Sequence, residues 1–103
     1  MKTINLSLLV VAGALSCGAA LADEALAKAR NCMACHSAQK KLVGPTYKDI
    51  AKKYAGQKDA PALLAEKIIK GGRGSWGEVP MPPNATVRPD EANRLAKWIL
   101  DLK

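Results

Sequence analysis

The chain has 103 residues, carries 16 Lys and Arg against 9 Asp and Glu for a formal net charge of +7, and contains a single histidine. Its length fits one domain, and with no phenylalanine the apolar area available to a core is small. Domains of that kind commonly lean on a staple, a metal or a cofactor, and the lone histidine excludes any site built on paired imidazoles.

Met1 and Lys2 make a short positive start, and Leu6 to Leu15 form an apolar run. The run is too short to cross a bilayer, which takes about 20 apolar residues. Ala20-Leu21-Ala22 places small residues at the two positions a signal peptidase reads. The expectation is a cleaved secretory signal over residues 1–22, cut after Ala22, a single domain over residues 23–103, and a periplasmic location; a retained N-terminal anchor is the alternative. Cys17 would leave with the signal, so Cys32 and Cys35 are the cysteines of the domain. An exported chain has little access to nucleic acid, so its basic balance points to acidic protein surfaces or anionic membranes.

Asp23 to about Asn31 reads as a first helix, with acids at its start and a narrow stripe of Ala25, Leu26 and Ala29. Val43-Gly44-Pro45 breaks the chain. Thr46 is placed to cap a second helix to about Tyr54, with Tyr47, Ile50, Ala51 and Tyr54 on one face. Asp59 is expected to cap a third helix to about Lys70, with Pro61 in its first turn and Leu64, Ala65, Ile68 and Ile69 inward. Gly71-Gly72 ends it, and the stretch to Pro83 is too rich in glycine and proline for a regular element. A last helix runs from about Pro89 to Leu102, with Ala92, Leu95, Ala96, Ile99 and Leu102 at helical spacing. No alternating stretch suggests a strand. The expected fold class is all-α, four short helices in one domain.

The stretch that carries chemistry is Cys32-Met33-Ala34-Cys35-His36, the C-x-x-C-H pattern of c-type haem attachment. Two thiols at this spacing match the two vinyl groups on a porphyrin edge, and the following histidine is held under the iron. The same C-x-x-C also occurs in thiol redox sites and in half of a zinc site. Zinc would lack a fourth ligand here, and a disulfide closing so small a loop staples almost nothing. If haem is bound, its sixth site cannot take a second histidine. Met33 lies between the cysteines and cannot cross the ring. Met81 remains, in Val79-Pro80-Met81-Pro82-Pro83-Asn84, where prolines fix the backbone and leave the loop little freedom to lose. Histidine–methionine ligation fills both axial positions and suits electron transfer.

With CMACH, LVGPTYKDIAKKYAGQ, WGEVPMPPN and EANRLAKWIL, the chain resembles the small bacterial class I cytochromes c of the cytochrome c-551 (cytochrome c8) type, over essentially all of residues 23–103. The resemblance implies four short helices and loops wrapped around one covalently attached haem c, the first and last helices crossing beside it. It implies thioether bonds at Cys32 and Cys35 and axial iron ligands at His36 and Met81. It further implies that the Pro45 carbonyl accepts from the His36 ring, that Asn84 donates toward the Met81 sulfur, and that Trp76 and Lys67, with Arg30 a weaker candidate, serve the haem propionates. Two departures stand out: Ala27 replaces an aromatic usual on the first helix, and Thr86-Val87-Arg88-Pro89 lengthens the approach to the last one.

The implied function is a monomeric, non-enzymatic one-electron carrier cycling between Fe(II) and Fe(III). Its partners would be redox proteins met by transient electrostatic docking. A quinol-oxidising complex or membrane cytochrome would be the donor, and a nitrite reductase, terminal oxidase or peroxidase the acceptor. Lys40, Lys41, Lys48, Lys52, Lys53 and Lys70 are candidates for the docking surface. The rival readings are a haem peroxidase or gas binder with a labile sixth ligand, and a thiol oxidoreductase using Cys32 and Cys35.

Overall fold

The structure is a computed structural model that describes residues 16–102, with side chains from Asp23 onward. The expected signal segment therefore lies largely outside the described residues. Four helices follow one another: α1 (Ser16–Ala29), α2 (Tyr47–Lys53), α3 (Ala60–Lys70) and α4 (Pro89–Leu100), with one 3₁₀ turn at Cys32–Ala34. No strand occurs among the described residues; an isolated antiparallel bridge joins Gly72 to Met81. None of the described helices is long and apolar enough to cross a membrane.

α4 is the hub. It packs on α3 most extensively and also on α2 and α1. Ala92, Leu95, Ala96 and Ile99 are its buried stripe, and they meet Tyr47, Ile50 and Tyr54 of the α2 segment and Leu64, Ala65 and Ile68 of α3 in one core. The helical spacing of these apolar side chains is what holds the short helices together, since helices this short are marginal alone.

The helix starts divide into those capped by a side chain and those that are not. Thr46 adopts extended backbone and its hydroxyl accepts from the Asp49 N–H at 3.0 Å, a full N-cap for α2. Asp59 stands before α3 but has helical backbone angles (φ −87°, ψ −2°) and makes no capping bond, contrary to expectation. At α4, Arg88 has no acceptor to offer as a cap. Glu91 instead reaches back to the Arg88 N–H at 3.1 Å, and Pro89 takes the first helical position.

α1 differs most from its sequence reading. Its described part, Ser16–Ala29, extends upstream of the expected cleavage point, and among the residues from Asp23 onward Ala27 is its buried one, while Ala25 and Ala29 are exposed and Leu26 is half-buried. α1 lies on α4, and the small Ala27 side chain occupies the core at 1% exposure. Two ion pairs tie the helices: Asp23 to Arg94 at 2.8 Å and Glu91 to Arg30 at 2.9 Å. Arg30 is thus taken by α4 and does not line the central cavity described below, which corrects its candidacy as a propionate partner.

Candidate functional site

The turn after α1 builds the first half of the site. Asn31 takes a left-handed conformation (φ 62°), tolerated by asparagine, and swings the chain out of the helix. Cys32 then accepts from the N–H groups of both Cys35 and His36, at 3.2 and 3.0 Å, so the two cysteines and the histidine share one tight turn. Burial, with the neighbouring Cys35 as a smaller cause, pushes the Cys32 thiol up from its ordinary value. A redox-active C-x-x-C needs the opposite, a thiol pulled down toward thiolate.

His36 is held on three sides. Its Nδ1 donates to the Pro45 carbonyl at 2.7 Å, because a carbonyl can only accept. That assigns the proton to Nδ1 and leaves the Nε2 lone pair free to bind a metal. The ring stacks on Tyr47 at 5.5 Å between centroids, and Tyr47 meets the Trp98 ring edge-on at 5.1 Å. Tyr47 is fully buried, and its hydroxyl donates to the Met33 sulfur at 3.6 Å. Burial, reinforced by Cys32, pushes the phenol far above its usual range, so it stays a neutral donor. Gly44 covers the remaining side. A Cβ there would stand 2.6 Å from His36 Cε1 and 2.9 Å from Nδ1, so only glycine lets the backbone approach the ring.

The second half is the segment from Gly71 to Asn84. Gly72 and Met81 exchange two backbone hydrogen bonds, 3.1 and 2.8 Å long. Asn84 sends its backbone N–H to the Ile69 carbonyl at 3.1 Å and its side-chain amide to the Ile68 carbonyl at 2.9 Å. The amide is therefore engaged with the end of α3, not with Met81 as expected. The physical reason is the orphan carbonyls of a helix C-terminus, which need donors from outside the helix.

Between the two halves lies a cavity of about 430 Å³. Cys32, Cys35, His36 and Met81 all face into it, with walls that include Ile50, Leu64, Ile68, Leu95 and Ile99. Pro45, Trp76 and Lys67 line it too, whereas Asn84 does not. Lys67 Nζ donates to Ser75 Oγ at 3.0 Å. Lys53 Nζ sits 4.4 Å over the Trp76 ring, a cation–π contact that pins the indole at the mouth. Val43 and Val79 are exposed apolar side chains on the same rim, 59% and 65% accessible. Two thiols placed for a porphyrin edge, with an imidazole carrying a free lone pair and a thioether as donors to its iron, around an apolar chamber, are what a covalently attached haem takes.

Gly44 and Tyr47 were not singled out for the site in the sequence, although each touches His36. The available signal was position: Gly44 immediately precedes the proline whose carbonyl holds the ring.

Comparison with known proteins matches this architecture. The family model of cytochrome c matches residues 18–103. Cytochrome c-552 of Nitrosomonas europaea is 50% identical over 103 residues, all of both chains. Cytochrome c-552 of Hydrogenobacter thermophilus is 58% identical over 86 residues, 84% of this chain and 87% of that one. A crystal structure of the Nitrosomonas europaea cytochrome c552 superposes with a TM-score of 0.76 at 54% identity, covering 78% of this chain and 99% of the other. The chain belongs to the cytochrome c family. It has the all-α fold of class I cytochromes c, it is an electron-transfer protein and not an enzyme, and it carries one covalently bound haem c.

Proposed function

We propose that the protein is a periplasmic shuttle, with Cys32 and Cys35 as the thioether attachment points and His36 and Met81 as axial ligands. The observation that carries this is the apolar cavity on which the C-x-x-C-H turn and the Met81 loop converge. The haem supplies one-electron Fe(II)/Fe(III) chemistry. The protein residues do the rest: Pro45 and Gly44 fix the His36 ring, the prolines hold Met81, and the apolar walls keep water from the metal. Filling both axial positions leaves no vacant site for peroxide or gas, which disfavours the peroxidase reading. Trp76 and Lys67 both line the cavity, which supports assigning them to the propionates.

The docking face is the cavity mouth, where Val43, Trp76 and Val79 form an exposed apolar patch beside Lys41, Lys53 and Arg73. Lys40, Lys48, Lys52, Lys53 and Lys70 do not line the cavity, though Lys53 reaches the Trp76 ring and Lys70 pairs with Glu66 at 3.2 Å. An apolar patch with a basic rim fits a respiratory redox partner with an acidic surface, such as a quinol-oxidising complex or membrane cytochrome on one side and a nitrite reductase, oxidase or peroxidase on the other.

The test is spectroscopic. Produced in a host that matures c-type cytochromes, the ferric protein should show the thioether-to-iron charge-transfer band, and Met81→Ala should abolish it. Rapid CO binding by the untreated ferrous protein would overturn the closed-centre reading, and haem-free protein with redox-active thiols would overturn all of it. Electron-transfer rates with acidic partners should fall as ionic strength rises.

A further inference from the structure

We propose that Lys53 is a positioning residue for Trp76. Reaching from the last turn of α2, it straps the tip of the segment between Gly72 and Met81 at the cavity mouth, and so shapes the docking face instead of serving it as a loose charge. What the strap does for the haem rests on Trp76 standing at a propionate.

The Gly74 N–H donates to the Gly77 carbonyl at 3.0 Å, and these two glycines, at φ 88° and 113°, close a turn whose tip is Ser75-Trp76. Among the described residues, residues 73–80 make no other backbone–backbone hydrogen bond. Gly72 and Met81 close the base of the segment, so the tip is left to its side chains. Trp76 is 44% exposed, too much for burial alone to hold it. Two lysines from two helices converge there. Lys53 Nζ donates to the Ser75 carbonyl and stands 4.4 Å from the centroid of the Trp76 ring. Lys67 Nζ, from α3, donates to Ser75 Oγ at 3.0 Å.

Lys53 is well placed for this. It is the last residue of α2, between the buried Ala51 and Tyr54, so its backbone is referred to the core. Its one ammonium makes two contacts of different kinds. The charge-assisted hydrogen bond fixes the height of the tip, and the cation over the ring fixes the face that the indole turns inward. Lys52, its neighbour on the same helix, carries the same charge and is exposed, with no side-chain hydrogen bond or ion pair among the described residues. A docking charge acts only when a partner is present. A strap acts on the free protein, and that separates the two roles.

The measurement is nitrogen relaxation and hydrogen exchange at the Trp76 indole N–H of the ferrous holoprotein. Lys53→Met keeps the apolar stem and removes the ammonium. The order parameter of the indole N–H should fall from about 0.85 to below about 0.6, and its exchange with solvent should rise on the order of tenfold. Lys53→Arg can still stack and donate, and should restore both. Lys52→Met should change neither. An indole as rigid in Lys53→Met as in the parent overturns the strap, whatever happens to electron transfer with an acidic partner protein. Equal loosening by Lys52→Met, or no restoration by Lys53→Arg, overturns it too. Ser75→Ala removes the Lys67 contact and leaves the Ser75 carbonyl to Lys53, so it should loosen the indole less than Lys53→Met does; the reverse order assigns the tip to Lys67 and overturns the proposal. The propionate premise fails separately: an indole N–H that exchanges in the parent as fast as in an unfolded chain is bound to no propionate. The order parameter, which reads the ring and not its hydrogen bond, still decides the strap.

Discussion

The two sides of the cavity are built by different means. The His36 side is made of neighbours in sequence: a left-handed Asn31, one 3₁₀ turn, and a Gly44-Pro45 return that brings a carbonyl to the ring within nine residues. The Met81 side is assembled from separate segments, the end of α3 and a loop that contributes two residues to its backbone contacts, Met81 and Asn84. A locally encoded ligand forms with its own turn. A ligand placed by tertiary contacts is only as fixed as the element it rests on. The difference predicts that the histidine side resists perturbation while the methionine side yields first.

The sharpest way to break that contrast is to remove what both sides share. Leu95 is 1% exposed and stands in both the core and the cavity wall. Leu95→Ala should cost about 2–5 kcal/mol in denaturant unfolding of the holoprotein, and both sides should loosen together. Gly44→Ala addresses the histidine side alone. Overpacking against His36 should cost about 1–3 kcal/mol and disturb the resonances of the histidine ring while CO binding stays slow. Thr46→Ala removes the cap of α2, whose first residue Tyr47 supports His36; a loss of about 1 kcal/mol in thermal unfolding is expected, with the charge-transfer band intact.

The smallest effect is an acid-limb change at the start of α4. Glu91 is held below the usual carboxylate range, first by the Arg88 N–H and then by the Arg30 guanidinium. A carboxylate depressed by folding adds stability above its unfolded value, and that stability is lost as pH falls through the depressed folded value. Glu91→Gln should therefore be less stable than the parent near neutrality and show a flatter decline on acidification, measured by unfolding at stepped pH.

Much of this was legible in the chain because it depends on spacing alone. The buried faces of α2, α3 and α4 follow from apolar residues recurring at helical intervals, and the Cys32–His36 turn is contiguous. What failed depended on who stands opposite. The stripe read along α1, Ala25, Leu26 and Ala29, missed Ala27, which only the family resemblance singled out, and Arg30 looks like a free cation until Glu91 arrives from a distant helix. Asn84 next to a methionine invites a local partner, but the carbonyls that need a donor belong to α3. Asp59 has the chemistry of a cap without the extended backbone a cap requires. Each of these is a tertiary fact, and propensity carries no information about it.

The positions of the two tryptophans have a practical consequence. Trp76 and Trp98, the whole tryptophan complement of the chain, both line the haem cavity. A haem seated there drains their excited states, so the native protein should be nearly dark in indole fluorescence and brighten only as it comes apart. Trp98 stands on α4 beside Tyr47, and Trp76 stands on the segment that leads to Met81. Replacing Trp98 by Phe leaves a single lamp on the methionine side, and replacing Trp76 by Phe leaves one on the histidine side. The order in which the two signals appear on unfolding gives each half of the site its own clock.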